Sequence, residues 1–369
     1  PKHTPVMRKL PTIATIILCL SMLTGCGSIP TGKHNTSQSS PKYYEHSNLA
    51  KIFTSTATQK GDKSGFVLLR DGHRALNERL YLAEFAEHTI DVQYYIWNSD
   101  KSGKRLSQKL IEAADRGVSV RIILDDFSVG DRNEQLLAVN SHPNIQIRVY
   151  NPFVNRSGAA KWLNFAFDFE RLNRRMHNKT YTADGVAAIV GGRNIGDEYF
   201  NSSENLNFRD LDLFTVGPVV QQVSQSFQEY WDSPWAISIE HLVSSNTDKE
   251  GKNQLDALLA DKQTELSQIS PSRKTESPES HFIQTLNELV WAPAVFIYDQ
   301  PGGENKKAYS EGPKRVASHL LQLAENSEKE ILIESAYFVL DEPALQIAAR
   351  LRDRGVKMQA LTNSMASND

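Results

Sequence analysis

Residues 177–194 read HNKTYTADGVAAIVGGRN. Met176 to Ala183 is rich in β-forming residues, Val186 to Val190 is a short apolar run, and Asp184-Gly185 between them is a strong hairpin signal. Two antiparallel strands are therefore expected. A two-residue turn pairs Ala183 with Val186, Lys179 with Val190 and His177 with Gly192. Side chains alternate along a strand, so His177 and Lys179 share a face with Gly191, Gly192 and Asn194 beside them. Asp184 falls at the far end, roughly 20 Å from His177 at the usual rise per residue. It is expected to hold the turn and not to orient the imidazole.

The residue types suit a phosphodiester. Such a group repels nucleophiles, so a site needs donors on its non-bridging oxygens and a nucleophile uncharged before attack. Lys179 and Asn194 supply donors, Gly191 and Gly192 allow close approach of an anion to the backbone, and a neutral His177 supplies the nucleophile.

At His177, Lys179, Asp184, Gly191 and Asn194 the run resembles the H-x-K-x4-D-x6-G-S-x-N signature of the phospholipase D superfamily. Gly192 stands where that pattern has Ser, which removes one hydroxyl donor. Stretches such as AEFAEHTIDVQYYIWNSDKSG, RGVSVRIILDD and DFERLNRRMHNK are similar to bacterial cardiolipin synthases of the C-type branch. The resemblance implies a phosphatidyl transferase with His177, Lys179, Asp184 and Asn194 as its catalytic residues. It would form cardiolipin from phosphatidylglycerol and either phosphatidylethanolamine or a second phosphatidylglycerol, through a phosphatidyl-histidine.

Met7, Arg8 and Lys9 open a segment whose apolar stretch, Thr12 to Leu23, is short for a membrane span, and Leu23-Thr24-Gly25-Cys26 resembles a lipobox. Residues 1–26 are read as a lipoprotein signal peptide with Cys26 as lipid acceptor. Gly27 after it implies a periplasm-facing anchor in the outer membrane of a Gram-negative cell. Cys19 is the chain's other cysteine, so the mature protein has no disulfide to form. Residues 27–60, polar and without apolar periodicity, are read as a flexible tether.

The body carries an internal repeat. Around Leu76-Leu80-Ala83, Ile90 to Trp97, Leu106-Leu110-Ala113 with Gly117, and Val118 to Leu124, helices and strands alternate. The order recurs around Val316-Leu320-Leu323, Ile331 to Val339, Ala344-Ile347-Leu351 with Gly355, and Val356 to Leu361. Strands that are apolar on both faces and separated by helices predict an α/β phospholipase D-like fold. Its sheets are expected to be mixed and largely parallel, with helices on both faces. The first unit is placed at 61–240, a polar linker at 241–282, and an incomplete second unit at 283–369. The interval from Val118 to His177, laid after Val356, runs past Asp369. A second motif, from further residues or from a second copy, is thus expected to complete the site.

Other features carry less. Asp125-Asp126 ends a strand and is read as a turn or cap. The aromatic run Trp162 to Phe167, followed by Arg171, Arg174 and Arg175, suits either a headgroup interface or plain packing, and Arg209 to Phe214 reads as sheet. His73, His88, His142 and His319 are scattered, so no metal is expected, and no cofactor. A net charge of −3 and an isoelectric point near 6.4 give no basic footprint for nucleic acid, which disfavours an exported nuclease. Hydrolysis of phospholipid in place of transfer, or a catalytically incomplete fragment, are the other readings. The expected partners are phospholipids and a membrane surface.

Overall fold

The structure, a computed structural model, describes residues 42–130, 132–153, 175–243, 277–302, 315–338 and 340–364. The signal peptide with Cys26, the aromatic run with Arg171 and Arg174, and most of the polar linker lie outside the described residues.

The hairpin forms from β5 (Thr180–Ala183) and β6 (Ala187–Gly191). Asp184 and Gly185 both adopt positive φ, 51° and 65°, and Val186 N donates to Ala183 O at 3.0 Å, the backbone of a primed turn. The register is one residue from expectation. Ala183 lies opposite Ala187 and Thr180 opposite Val190, because Val186 is an extra, unpaired loop residue. Gly191, rather than Val190, therefore faces Lys179, donating to its carbonyl at 3.4 Å.

The hairpin lies inside a nine-stranded sheet ordered β8-β4-β3-β2-β5-β6-β7-β1-β9. The other strands are β1 (Ser64–Leu69), β2 (Thr89–Tyr94), β3 (Ser119–Asp125), β4 (Ile145–Tyr150), β7 (Asp212–Val216), β8 (Ala236–Ser238) and β9 (Val290–Ala292). The expectation of largely parallel sheets is overturned here. Only β2–β3 and β3–β4 pair in parallel in this sheet, and every other neighbouring pair is antiparallel. Doubly apolar strands report burial on both faces, which an antiparallel sheet covered by helices also requires. They do not report strand direction. Helical crossovers enforce parallel pairing only along β2 to β4, while the hairpin, β7 and both edges reverse it.

Helices α2 (Gly72–Phe85) and α3 (Lys101–Asp115) cover one face, where Leu76, Leu80, Leu106 and Leu110 join Ile90, Val92 and Tyr181 in the main core. Helix α5 (Pro218–Trp231) covers the other, packing Val220 and Val223 on Ala188 and Phe227 and Trp231 beside Ile123 and Met176. A short α4 (Asn133–Asn140) bridges β3 and β4, and α6 (Ile239–Leu242) follows β8.

Residues 48–59, expected in the tether, form helix α1 (Asn48–Gln59), capped by the Ser47 hydroxyl. Leu49, Ala50 and Phe53 fall on one helical face and are buried, with the Phe53 ring 5.8 Å from Phe214 and 6.0 Å from Phe282 of α7 (Pro278–Glu288). Three buried apolar residues in a stretch dominated by polar ones leave little compositional trace, yet suffice to dock one face.

The repeat is present in three dimensions. Helix α8 (Arg315–Glu325), β10 (Glu330–Glu334), α9 (Glu342–Asp353) and β11 (Lys357–Leu361) follow the order of α2, β2, α3 and β3, and β10 pairs β11 in parallel. Gly117 and Gly355 close the equivalent helices at φ 96° and 75°. Among the described residues β10 and β11 pair only with each other, and Leu332 and Leu361 are 76% and 60% exposed.

Candidate active site

The segment entering the hairpin is held from below by Asp125 at the end of β3. Its carboxylate accepts from Phe127 N and Met176 N, both at 2.9 Å, and lies 3.2 Å from Arg175 Nη1. Arg175 Nη2 also donates to Asn151 O at 2.5 Å, and Met176 is buried with its sulfur 3.0 Å from Gln93 Nε2. Arg175 and Met176 are thus fixed by two buried anchors, and His177 is the first side chain free to face outward.

His177 Nδ1 lies 3.1 Å from Arg175 O. A carbonyl only accepts, so the contact requires the Nδ1–H tautomer and leaves Nε2 with an open lone pair. The Tyr95 ring, tilted 33°, covers one side of the imidazole at 4.4 Å. Burial lowers the imidazole's proton affinity, the Lys179 and Arg175 charges lower it further, and the Arg175 carbonyl partly opposes them. A neutral ring at neutral pH follows, as a nucleophile requires.

Lys179 stands beside it. Its Nζ donates to His177 O at 2.8 Å and lies 5.8 Å from the Tyr95 ring centre. Burial lowers its proton affinity, opposed by Asp210 and Asp212. Tyr95 therefore contacts both members of the pair, a role nothing in the sequence motif announced.

Asn194 is nearby but engaged. Its Oδ1 accepts from Ile96 N and its Nδ2 donates to Tyr199 OH, each at 3.1 Å, so it ties the hairpin exit to the chain after β2. The two glycines make room for protein carboxylates. A Cβ on Gly191 would stand 2.1 Å from Asp212 Oδ1, and one on Gly192 2.0 Å from Asp210 Oδ1. A serine at 192, as in the general pattern, would require Asp210 to move. Burial raises the Asp210 carboxyl's proton affinity, partly offset by Leu211 N–H, Arg193 and Lys179.

Asp184 sits at the turn, away from His177, as hairpin geometry required. Its buried carboxylate accepts from Glu87 N at 3.1 Å, His88 N at 2.8 Å and Thr89 N at 3.0 Å, fixing the entry to β2. Asp184→Asn keeps the shape but turns an NH2 toward backbone donors. We predict a loss of about 2–4 kcal/mol in urea denaturation. Unchanged stability with lost activity would contradict this structural role.

Beneath the site runs a buried polar network that sequence reasoning missed. Asp212 takes Arg79 Nη2 at 2.9 Å and Arg193 N at 3.2 Å, and Arg79 Nε donates to Tyr94 OH at 2.9 Å. Arg193 further donates to Leu69 O, Arg70 O and Tyr199 O at 2.7 to 3.1 Å. The one available signal was Arg193 itself, a charged residue inside a glycine-rich apolar run.

Asp125 offers a pH test. Burial outweighs Arg175 and the two amides and pushes its carboxyl from 3.8 up to about 6. A folded-state value above the unfolded one means ionisation costs stability, so this group's contribution falls as pH rises from about 4 to about 6. Wild-type stability minus that of Asp125→Asn should decline across that window and level off above about 7. A flat difference would show that Asp125 ionises normally.

A family profile described as "Cardiolipin synthase, PLD-like domain" matches residues 81–231. The chain belongs to the phospholipase D superfamily, a superfamily of enzymes built on the H-x-K-x4-D motif. Within it, the chain is 38% identical over 325 residues to cardiolipin synthase C of Escherichia coli strain K12, covering 87% of this chain and 67% of that protein. It is 30% identical to an uncharacterised protein of Helicobacter pylori strain J99, covering 87% and 63%. The chain thus spans about two thirds of the length of these relatives. Among solved structures, phosphatidylserine synthase of Haemophilus influenzae Rd KW20 shares the fold at a TM-score of 0.50 and 13% identity, covering 84% of this chain and 65% of that one. No described helix is long and apolar enough to cross a membrane.

Proposed function

We propose that the chain is the motif-bearing part of a phosphatidyl transferase that forms cardiolipin. The observation that carries the reading is His177 Nδ1 held on Arg175 O, which leaves Nε2 open while the Lys179 ammonium bonds the carbonyl of the same residue. Nε2 attacks the phosphorus of a phospholipid, forming an N–P bond as the P–O bond to the headgroup alcohol breaks. A second lipid's alcohol then attacks phosphorus, the N–P bond breaks, and its proton leaves with a general base. Lys179 neutralises charge on the non-bridging oxygens in both steps.

The acid that protonates the departing alcohol is a second histidine, which becomes the base of the second step. A second motif unit joined to this chain, or a second copy of it, supplies that histidine. The repetition of the β2–α3–β3 arrangement in β10–α9–β11 supports the first source. Phosphatidylglycerol is the acceptor, and phosphatidylethanolamine or phosphatidylglycerol the donor, by likeness to cardiolipin synthase C.

The test is lipid analysis of a bacterium stripped of its own cardiolipin synthases. Expression of this chain together with a second motif unit should restore cardiolipin. Phosphatidic acid in its place would mean that water is the acceptor, and no lipid change would refute the reading. The anchor reading is tested separately. Cys26→Ser should abolish incorporation of labelled palmitate and release soluble protein or precursor, because a single polar segment binds membrane weakly. Palmitate on the variant would contradict it.

A further inference from the structure

A cavity of about 120 Å³ opens on the sheet face that carries α3, and it lies outside the site described above. Leu110, Ile122, Leu124 and Val129 line it, and Leu136 and Val139 of α4 close it. Ser99, Lys104 and Gln135 also line it, so the lining mixes an apolar interior with polar residues from a loop and two helices. An apolar hollow with a few polar groups at its edge is the form of a site for an amphiphile's tail.

Its wall is tied to the motif. Trp97 lines the cavity and bridges to Ile195, while Asn98 N donates to Ile195 O at 2.8 Å. Ile96 N donates to Asn194 Oδ1, and Tyr95, whose ring contacts His177, is two residues from Trp97. Along an extended chain two residues span only about 7 Å. A lipid whose phosphorus sits at His177 therefore has this cavity within reach of its first acyl carbons. Core packing is normally dense, and a dry hollow of about 150 Å³ lined by aliphatic groups takes up a benzene ring. A hollow of similar size suits a short stretch of hydrocarbon.

We infer that the cavity between α3, α4 and β3 holds part of one acyl chain of the phospholipid whose phosphate meets His177. The inference rests on the phospholipid reading above and deepens it. The donor would then be lifted partly out of the bilayer, with its chain as well as its headgroup bound by protein.

The test is photo-crosslinking with phosphatidylglycerol carrying a diazirine on one acyl chain, presented in phosphatidylethanolamine vesicles to the full 369-residue chain. Mass spectrometry should place adducts on peptides spanning α3 and α4. Two independent fillings, Leu136→Trp and Ser107→Phe, should each cut those adducts at least about 5-fold, with melting curves reporting that the variants remain folded. Adducts confined to other surfaces, or unaffected by both folded variants, would overturn the inference and mean that the tails stay in the bilayer. The readout needs no turnover. Failure to make cardiolipin, which would refute the catalytic reading, is thereby kept apart from failure to bind a chain here.

Discussion

His177→Ala is expected to abolish turnover, by at least about 10⁴-fold, in any preparation that makes product. The expectation follows from geometry. Arg175 and Met176 are locked to Asp125 and Asn151, and the imidazole keeps Nε2 open while Lys179 bonds the carbonyl of the same residue. Lys179→Ala should retain weak activity, because losing one charge-assisted contact costs only about 1.5–3 kcal/mol. The contrast between the two variants is the informative quantity, and steady-state assays on phosphatidylglycerol vesicles give it. Equal losses would mean that His177 acts only through binding. Loss from Lys179→Ala alone would move the nucleophile elsewhere.

Arg79→Met is expected to cost about 3–5 kcal/mol of stability, the usual penalty for leaving a buried charge without its partner. Arg79 is 1% exposed and Asp212 is fully enclosed, so neither charge has water to fall back on. Burial works against the guanidinium's charge, but Tyr94 and Asp212 prevail and keep the proton firmly in place. Asp212 in turn holds Arg193 N and occupies the space beside Gly191, so damage at residue 79 should reach the hairpin exit. Denaturant unfolding measures the cost. The double variant Arg79→Met with Asp212→Leu should lose less than the sum of the single losses, since it removes both charges together. Additive losses would show that the pair is not coupled.

Much of the site could be read from the chain because it is local. Asp184-Gly185 sets a primed turn, period-two alternation sets His177 and Lys179 near each other, and both effects act within a few residues. The register slipped by one because nothing in the sequence distinguishes Val186 as a strand residue from Val186 as a third loop residue. Strand direction was missed for a different reason. Apolar runs such as Val118 to Leu124 and Val186 to Val190 record burial on two faces, and the partner across the ladder is decided by distant residues. The same holds for the surroundings of Gly191 and Gly192, where the carboxylates of Asp212 and Asp210 come close. The Arg79–Asp212 pair joins residues 133 apart in the chain, and Tyr95 reaches His177 from the segment that follows β2. Such contacts exist only once the sheet order is known.

The central claim, a covalent phosphatidyl-histidine at residue 177, is tested most directly by trapping it. The chain, supplied with a second motif unit, is mixed with phosphatidylglycerol, quenched in alkali to protect the acid-labile N–P bond, and digested for mass spectrometry. The account predicts a phosphatidyl adduct on the peptide containing His177, absent from His177→Ala. Rapid product formation with no adduct on that peptide, or an adduct that persists in His177→Ala, would contradict it.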